Sequence, residues 1–134
     1  MPRTLPASYK NLIAYQKAKL LTVEAINYFS KQHLDRTSEI LVNQFIRSIS
    51  SIGANIAEGY GRHYQKSYRQ FMAIARGSSF ESDYWLDIML GIKRFDDETI
   101  NDFIERNTEL IKLLTTMLKN LDNKLEDKSI KQNT

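Results

Sequence analysis

Apolar residues recur along most of this chain at the three-and-four spacing of amphipathic helices, and no stretch alternates with the period of two that a half-buried strand would show. Leu12, Tyr15, Ala18, Val23, Ile26 and Phe29, with Ala14, Leu21 and Ala25 alongside, predict a first helix over about 9–30. They cover more than half its circumference, so it should be touched on two sides. Ser8 or Asn11 could cap it, and the arm before it holds both prolines, Pro2 and Pro6. After a polar turn at 31–36, a second helix over about 37–60 would open at Thr37 or Ser38, both good N-cap residues. Its core face is Leu41, Val42, Phe45, Ile46, Ile49, Ile52 and Ile56, and Gln44, Arg47, Ser51, Asn55, Glu58 and Arg62 form a polar stripe expected to point away from the core.

A third helix over about 66–94 reads from Ser67, whose partner Gln70 would complete a capping box. Tyr68, Phe71, Met72, Ala75, Ser82, Trp85, Leu86 and Met89 supply its core face. A second apolar stripe, Phe80, Tyr84 and Ile88, lies well off that face and would stay wet in a monomer. The fourth helix, about 97–126, has Asp96 as its cap and Phe95 and Ile100 at hydrophobic-staple positions. Ile100, Ile104, Ile111, Leu114, Leu118, Leu121 and Leu125 make one stripe, and the tail from Asp127 should fray. Four helices joined by short turns predict an all-α, antiparallel up-down four-helix bundle in a single domain spanning 1–134.

The segment from Ser51 to Arg62 organises this plan. Gly59 and Gly61 arrive together after Ile49, Ile52 and Ile56, as glycines that could take the left-handed conformation ending a helix. Gly53, among the small residues Ser48, Ser51, Ala54 and Ala57, would cost about 1 kcal/mol relative to alanine unless a neighbouring helix uses the space.

Residues Gln44 to Arg62, with Arg47, Ser51-Ile52, Asn55-Ile56-Ala57-Glu58-Gly59 and Arg62, resemble the signature of the four-helix-bundle proteins encoded in intervening sequences of bacterial 23S ribosomal RNA genes. Phe71 to Glu81, an aromatic followed by alanines, a glycine-serine pair and a glutamate, resembles that family's next helix. The resemblance covers nearly the whole chain, with one departure at Gly53-Ala54, where many relatives have proline-alanine. It implies a fold similar to the accessory protein of diversity-generating retroelements, and assembly as a homopentamer.

Composition narrows the chemistry. At 134 residues the chain can bury about 68% of the surface its unfolded form would expose, leaving no room for a second domain. It has no cysteine, which excludes disulfides and thiolate metal sites, and with no charged-then-apolar leader the expectation is a cytoplasmic protein. No apolar run approaches the ~20 residues that span a bilayer. Net charge is +3 but unevenly spread: 1–80 holds 11 Lys/Arg against 4 Asp/Glu, 81–109 holds 3 against 9, and 110–134 holds 5 against 3. Either a basic face meets an anionic partner, or complementary faces meet in a head-to-tail oligomer, which needs no ligand and is the reading adopted.

Candidate chemistry is sparse. A di-metal carboxylate site needs Glu-x-x-His pairs facing inward; Glu58 and Glu81 lack them, and His33 and His63 lie in different turns. Placed level across antiparallel helices, Glu58 and Glu81 would stand about 14 Å apart at 1.5 Å per residue, too far for paired acid-base work. Gly59-Tyr60-Gly61 lacks the Lys-Ser/Thr of a phosphate loop, and Ser78 and Ser79 lack an acid-base partner in sequence reach. In the second turn, Tyr60, Arg62, His63, Tyr64, Lys66, Tyr68 and Arg69 interleave basic and aromatic groups that could hold phosphates and stack bases, although a solvated turn with arginines paired to Glu58 is the simpler reading, because one short cluster is a weak electrostatic footprint.

The sequence therefore predicts a non-enzymatic homo-oligomer with no catalytic residue, cofactor or metal. RNA or DNA would be met through a basic rim of Arg62, His63, Lys66 and Arg69, and subunits would meet through Arg47, Asn55, Glu58, Phe80, Tyr84 and Ile88. The alternative is a small enzyme using Asn55, Glu58 and Glu81.

Overall fold

The structure, a computed structural model, describes residues 8–62 and 64–132. After a 3-10 turn at Tyr9–Asn11 come α1 (Ile13–Ser30), α2 (Arg36–Tyr60), α3 (Gln65–Ile92) and α4 (Asp97–Gln132), with no strand among the described residues. Consecutive helices pack on one another and α4 closes back on α1; no close backbone approach joins α1 to α3 or α2 to α4. The four helices thus occupy the corners of a square, with α1 diagonal to α3.

Side-chain pairs fix the antiparallel register. Between α2 and α3, Ser48 meets Ser82 at 2.8 Å and Ser51 meets Ser78 at 2.9 Å. This alignment puts Glu58 level with about Met72, as expected from a turn centred near Gln65. On the α4 side, Arg76 donates to Thr115 and Asn107 to the Ser79 carbonyl. Lys17–Glu109 and Arg106–Glu24 join α1 to α4.

Helices α2, α3 and α4 lay their predicted stripes into the core, with Phe45, Ile49, Ile52 and Ile56 of α2, Met72, Ala75 and Leu86 of α3, and Ile100, Leu110 and Leu114 of α4 fully buried; α1 buries Ala18, Leu21 and Ala25, but Val23 and Ile26 of its predicted stripe stand 43% exposed, because within the subunit α1 packs on α2 and α4 through one side only. Phe29 joins this core edge-on to Phe45 and Phe95. A polar seam crosses it. Ser48, Ser79, Ser82 and Asn107 are buried, and the serines bond back to carbonyls of their own helices as well as across.

Several local expectations change. Asp35, not Thr37 or Ser38, caps α2, accepting from the Ser38 N–H at 3.1 Å. Neither Ser8 nor Asn11 caps α1 itself: its N-cap is Leu12, while Ser8 caps the 3-10 turn by accepting from Lys10 N–H. The Ser67-Gln70 capping box does not form, because α3 starts two residues earlier from Tyr64 with no side-chain cap. Asp96 does cap α4, accepting from the Thr99 N–H and hydroxyl. The tail beyond Asp127 stays helical to Gln132, which makes α4, at 36 residues, the longest helix. The predicted arm before Ser8 lies outside the described residues.

The glycines act by proximity. None has a positive φ, and Gly61 ends α2 at φ −74°; the one left-handed residue among the described residues is Lys93, which ends α3 at φ 58°. Gly53 needs no special room, since a Cβ there would stand 3.8 Å from Ala18 Cβ, an ordinary contact. Gly59 is where helices touch: a Cβ would lie 2.6 Å from Phe71 Cβ.

Candidate functional site

The α2–α3 turn carries the predicted basic rim, and α4 proves to end beside it. Arg62 donates to Glu58 at 3.0 Å and stacks its guanidinium 5.1 Å over the Phe71 ring, so it lies back along the bundle. Arg69 donates to Asp122 of α4 at 2.8 Å. That bond lowers the Asp122 carboxyl and raises the Arg69 guanidinium, each reinforced by the opposite charge. Lys66 is exposed in the first turn of α3, and Tyr64 stands 76% exposed before it. His63 lies outside the described residues. Both arginines of the rim thus have intramolecular carboxylate partners: Arg62 pairs with Glu58, the partner expected for a solvated turn, and Arg69 pairs instead with Asp122 of α4.

Sequence reasoning missed the other half of this end. Because α4 continues past Asp127, Lys124, Lys128 and Lys131 reach the start of α3 and, with Gln65 and Asp127, line a groove of about 250 Å³. The signal was present in the lysine spacing, one helical turn apart along a single face, but a tail expected to fray hid it. The end of the bundle therefore gathers Lys124 and Lys128 of α4, with Asp127 the acid among them, against Gln65 at the start of α3, where exposed Lys66 follows in sequence.

The polar stripe of α2 does not all face away from the core. Ser51 is half-buried against Ser78, and Asn55 bends its amide back onto the Ser51 carbonyl and hydroxyl, both at 2.8 Å. Arg47 is exposed one turn from Ser50, on the side of α2 facing the α1 groove. Glu81 is exposed on α3, while Glu58 is committed to Arg62 and Asn55 to Ser51. The three residues of the enzyme alternative line none of the grooves described here. No group of three His, Asp or Glu side chains is placed to hold a metal among the described residues, and no helix there is long and apolar enough to cross a membrane.

The predicted assembly residues of α3 do face outward. Phe80 is 48% and Tyr84 56% exposed, and Ile88 is half-buried. Arg76 covers one side of the Phe80 ring at 4.9 Å, and Trp85 meets Tyr84 edge-on.

Comparison with known proteins agrees with this architecture. The model of the 23S rRNA-intervening sequence proteins matches residues 10–116. A crystallised protein of unknown function from the S23 ribosomal protein family of Bacteroides thetaiotaomicron superposes with a TM-score of 0.70 at 24% identity, over 80% of this chain and 99% of that one. No curated protein matches the chain.

Proposed function

The chain belongs to the 23S rRNA-intervening sequence protein family, and from that premise we propose that it is a non-enzymatic, self-assembling helical scaffold that holds nucleic-acid phosphates at the end of the bundle formed by the α2–α3 turn and the α4 tail. The observation that supports the nucleic-acid part is the convergence of Lys124 and Lys128 of α4 on Gln65, some 60 positions away in sequence, with exposed Lys66 next to Gln65 on α3. Lysines there are point charges on flexible stems, suited to phosphate neutralisation and not to reading base edges. Exposed Tyr64 adds a ring on which an unpaired base can stack. In a ring of subunits, five by the family resemblance, this weak cluster would recur around one rim as a multivalent basic collar.

Affinity should therefore carry little sequence preference and fall steeply with salt, with a log-log slope of about −0.9 per phosphate contacted on duplex. The test is a titration of duplex DNA and structured RNA at several salt concentrations. Replacing Lys124 and Lys128 by Gln should weaken binding and flatten the slope by about one to two contacts. Replacing Arg62, Lys66 and Arg69 together should do so less per residue removed, since Arg62 and Arg69 already hold carboxylates. No binding to either polymer, or binding untouched by both sets, refutes the basic-end reading.

A further inference from the structure

With one exception among the described residues, every aromatic ring of this chain packs against another ring or beneath a guanidinium. The exception is Tyr64, which meets neither and stands 76% exposed. Its neighbours at the same end show what an occupied ring looks like. Tyr60 and Tyr68 meet edge-on with centroids 6.3 Å apart, and Phe71 lies under Arg62.

The fold makes no use of the Tyr64 ring. Tyr64 is the N-cap of α3, extended at φ −105° and ψ 133°, but its side chain makes no capping hydrogen bond. Only its carbonyl is engaged, accepting from the Tyr68 N–H at 3.0 Å. The ring is therefore rooted at a fixed point of the backbone with its faces vacant, a stacking surface whose position is set before anything binds.

Beside it lies phosphate-binding chemistry. Gln65, one Cα step of about 3.8 Å away, lines the groove that Lys124 and Lys128 share, and Lys66 follows in sequence. Unlike Arg62 and Arg69, these three lysines form no ion pair among the described residues. Open cations beside a vacant ring suit a polyanion whose repeating unit carries a planar face. A duplex fits poorly, because its bases stack on one another and show only their edges in the grooves. An unpaired strand offers a base face at every nucleotide.

Resting on the basic-end reading above, we propose that the class of nucleic acid selected here is an unpaired strand, with a base stacked on Tyr64 and the flanking phosphates on Lys66, Lys124 and Lys128. Tyr64 sets the strand preference, and the lysines set the phosphate affinity. The two contributions separate cleanly, since phosphate neutralisation alone favours the duplex, which carries the denser charge. A preference for single strands has to come from contact with the bases.

Three probes of equal length test this: a single strand of about 12 thymidines, the same sugar-phosphate strand without bases, and a duplex of about 12 base pairs. Fluorescence anisotropy at several salt concentrations should place the single strand at least about 5-fold tighter than the baseless strand, and tighter than the duplex. Tyr64→Ala should bring the single strand to the level of the baseless one, with the salt slope unchanged at about −0.7 per phosphate contacted and helical circular dichroism retained. Tyr64→Trp should restore the preference. Lys124→Gln with Lys128→Gln should do the reverse, flattening the slope for every probe while keeping the ratio of single strand to baseless strand. A single strand bound no tighter than its baseless counterpart, or a preference that survives Tyr64→Ala, overturns the assignment and leaves the basic-end reading standing on the lysine effect. A duplex bound tightest, and weakened by Tyr64→Ala, would mean that the ring caps blunt ends, and overturns it too. No binding of any probe removes the basic-end reading itself, and the strand preference with it.

Discussion

Replacing Gly59 by alanine adds one methyl at the tightest point between α2 and α3. The new Cβ would stand 2.6 Å from Phe71 Cβ and 3.2 Å from Met72 Cε. Met72 Cε is the end of a flexible side chain and can swing away, but Phe71 Cβ is fixed to the α3 backbone, so the helices themselves must part. Overpacking of this kind costs about 1–3 kcal/mol, and the rigid obstacle argues for the upper half of that range. Alanine returns about 1 kcal/mol of helix propensity, leaving a net loss of about 1–2 kcal/mol. With an unfolding entropy of about 2.1 cal/mol/K per residue, the midpoint should fall by about 4–7 °C in a thermal melt followed by circular dichroism. Gly77→Ala is the internal control, since nothing stands near its Cβ. It should raise the midpoint by about 2–4 °C. A Gly59→Ala protein as stable as the parent, or a Gly77→Ala protein less stable than it, would show that proximity is not what selects glycine at position 59.

Two further outcomes follow from the helix ends. Lys93 holds a left-handed conformation at φ 58° with a side chain that glycine lacks, so Lys93→Gly should stabilise the fold by about 0.5–1 kcal/mol in urea unfolding despite losing its exposed pair with Asp97. Asp35, Asp96 and Asp122 are held below their ordinary value near 3.8, the first two chiefly by hydrogen bonds from Ser38 and Thr99 and the third by one from Arg69. A depressed folded pKa gives stability that is fully present above the unfolded value and is lost as pH falls through the folded one. Acid unfolding should therefore steepen from about pH 4 downward, and Asp35→Asn with Asp96→Asn, which keep cap acceptors but not the charge, should flatten that limb; an unchanged acid profile would count against the caps as its source.

The core of this fold was legible because burial writes itself into periodicity. Ile49, Ile52 and Ile56 on α2 and Ile100, Leu114 and Leu118 on α4 recur at helical spacing and are buried. Local chemistry was less decisive where several residues could do the same work. Asp35, Thr37 and Ser38 are all competent caps within four positions, and Arg94, arriving from the end of α3 to bond both the Asp35 carboxylate and the Ser38 hydroxyl, marks a choice made by tertiary structure. Glycine was misread for a related reason: sequence shows where a side chain is missing, but not whether the backbone turns there or a neighbour comes close. The lysines of the basic end were each visible, yet only the return of α4 to the α2–α3 turn makes them neighbours.

The serine pairs between α2 and α3 bear on how the chain finds its alignment. A stripe of isoleucines looks much the same to a neighbouring helix after a slide of one turn, so apolar contact alone admits several misaligned hairpins of similar energy. The pairs Ser48–Ser82 and Ser51–Ser78 do not share that degeneracy. A slide of four residues one way would keep Ser48 near Ser78 but set Ser51 against Ile74, and the opposite slide would keep Ser51 near Ser82 but set Ser48 against Leu86. Each slip forfeits a buried or half-buried hydrogen bond, about 1 kcal/mol, and so populates its decoy several-fold less. Two hydroxyl rungs thereby act as a vernier on the longest contact in the molecule, rejecting near-miss hairpins before α1 and α4 close over them.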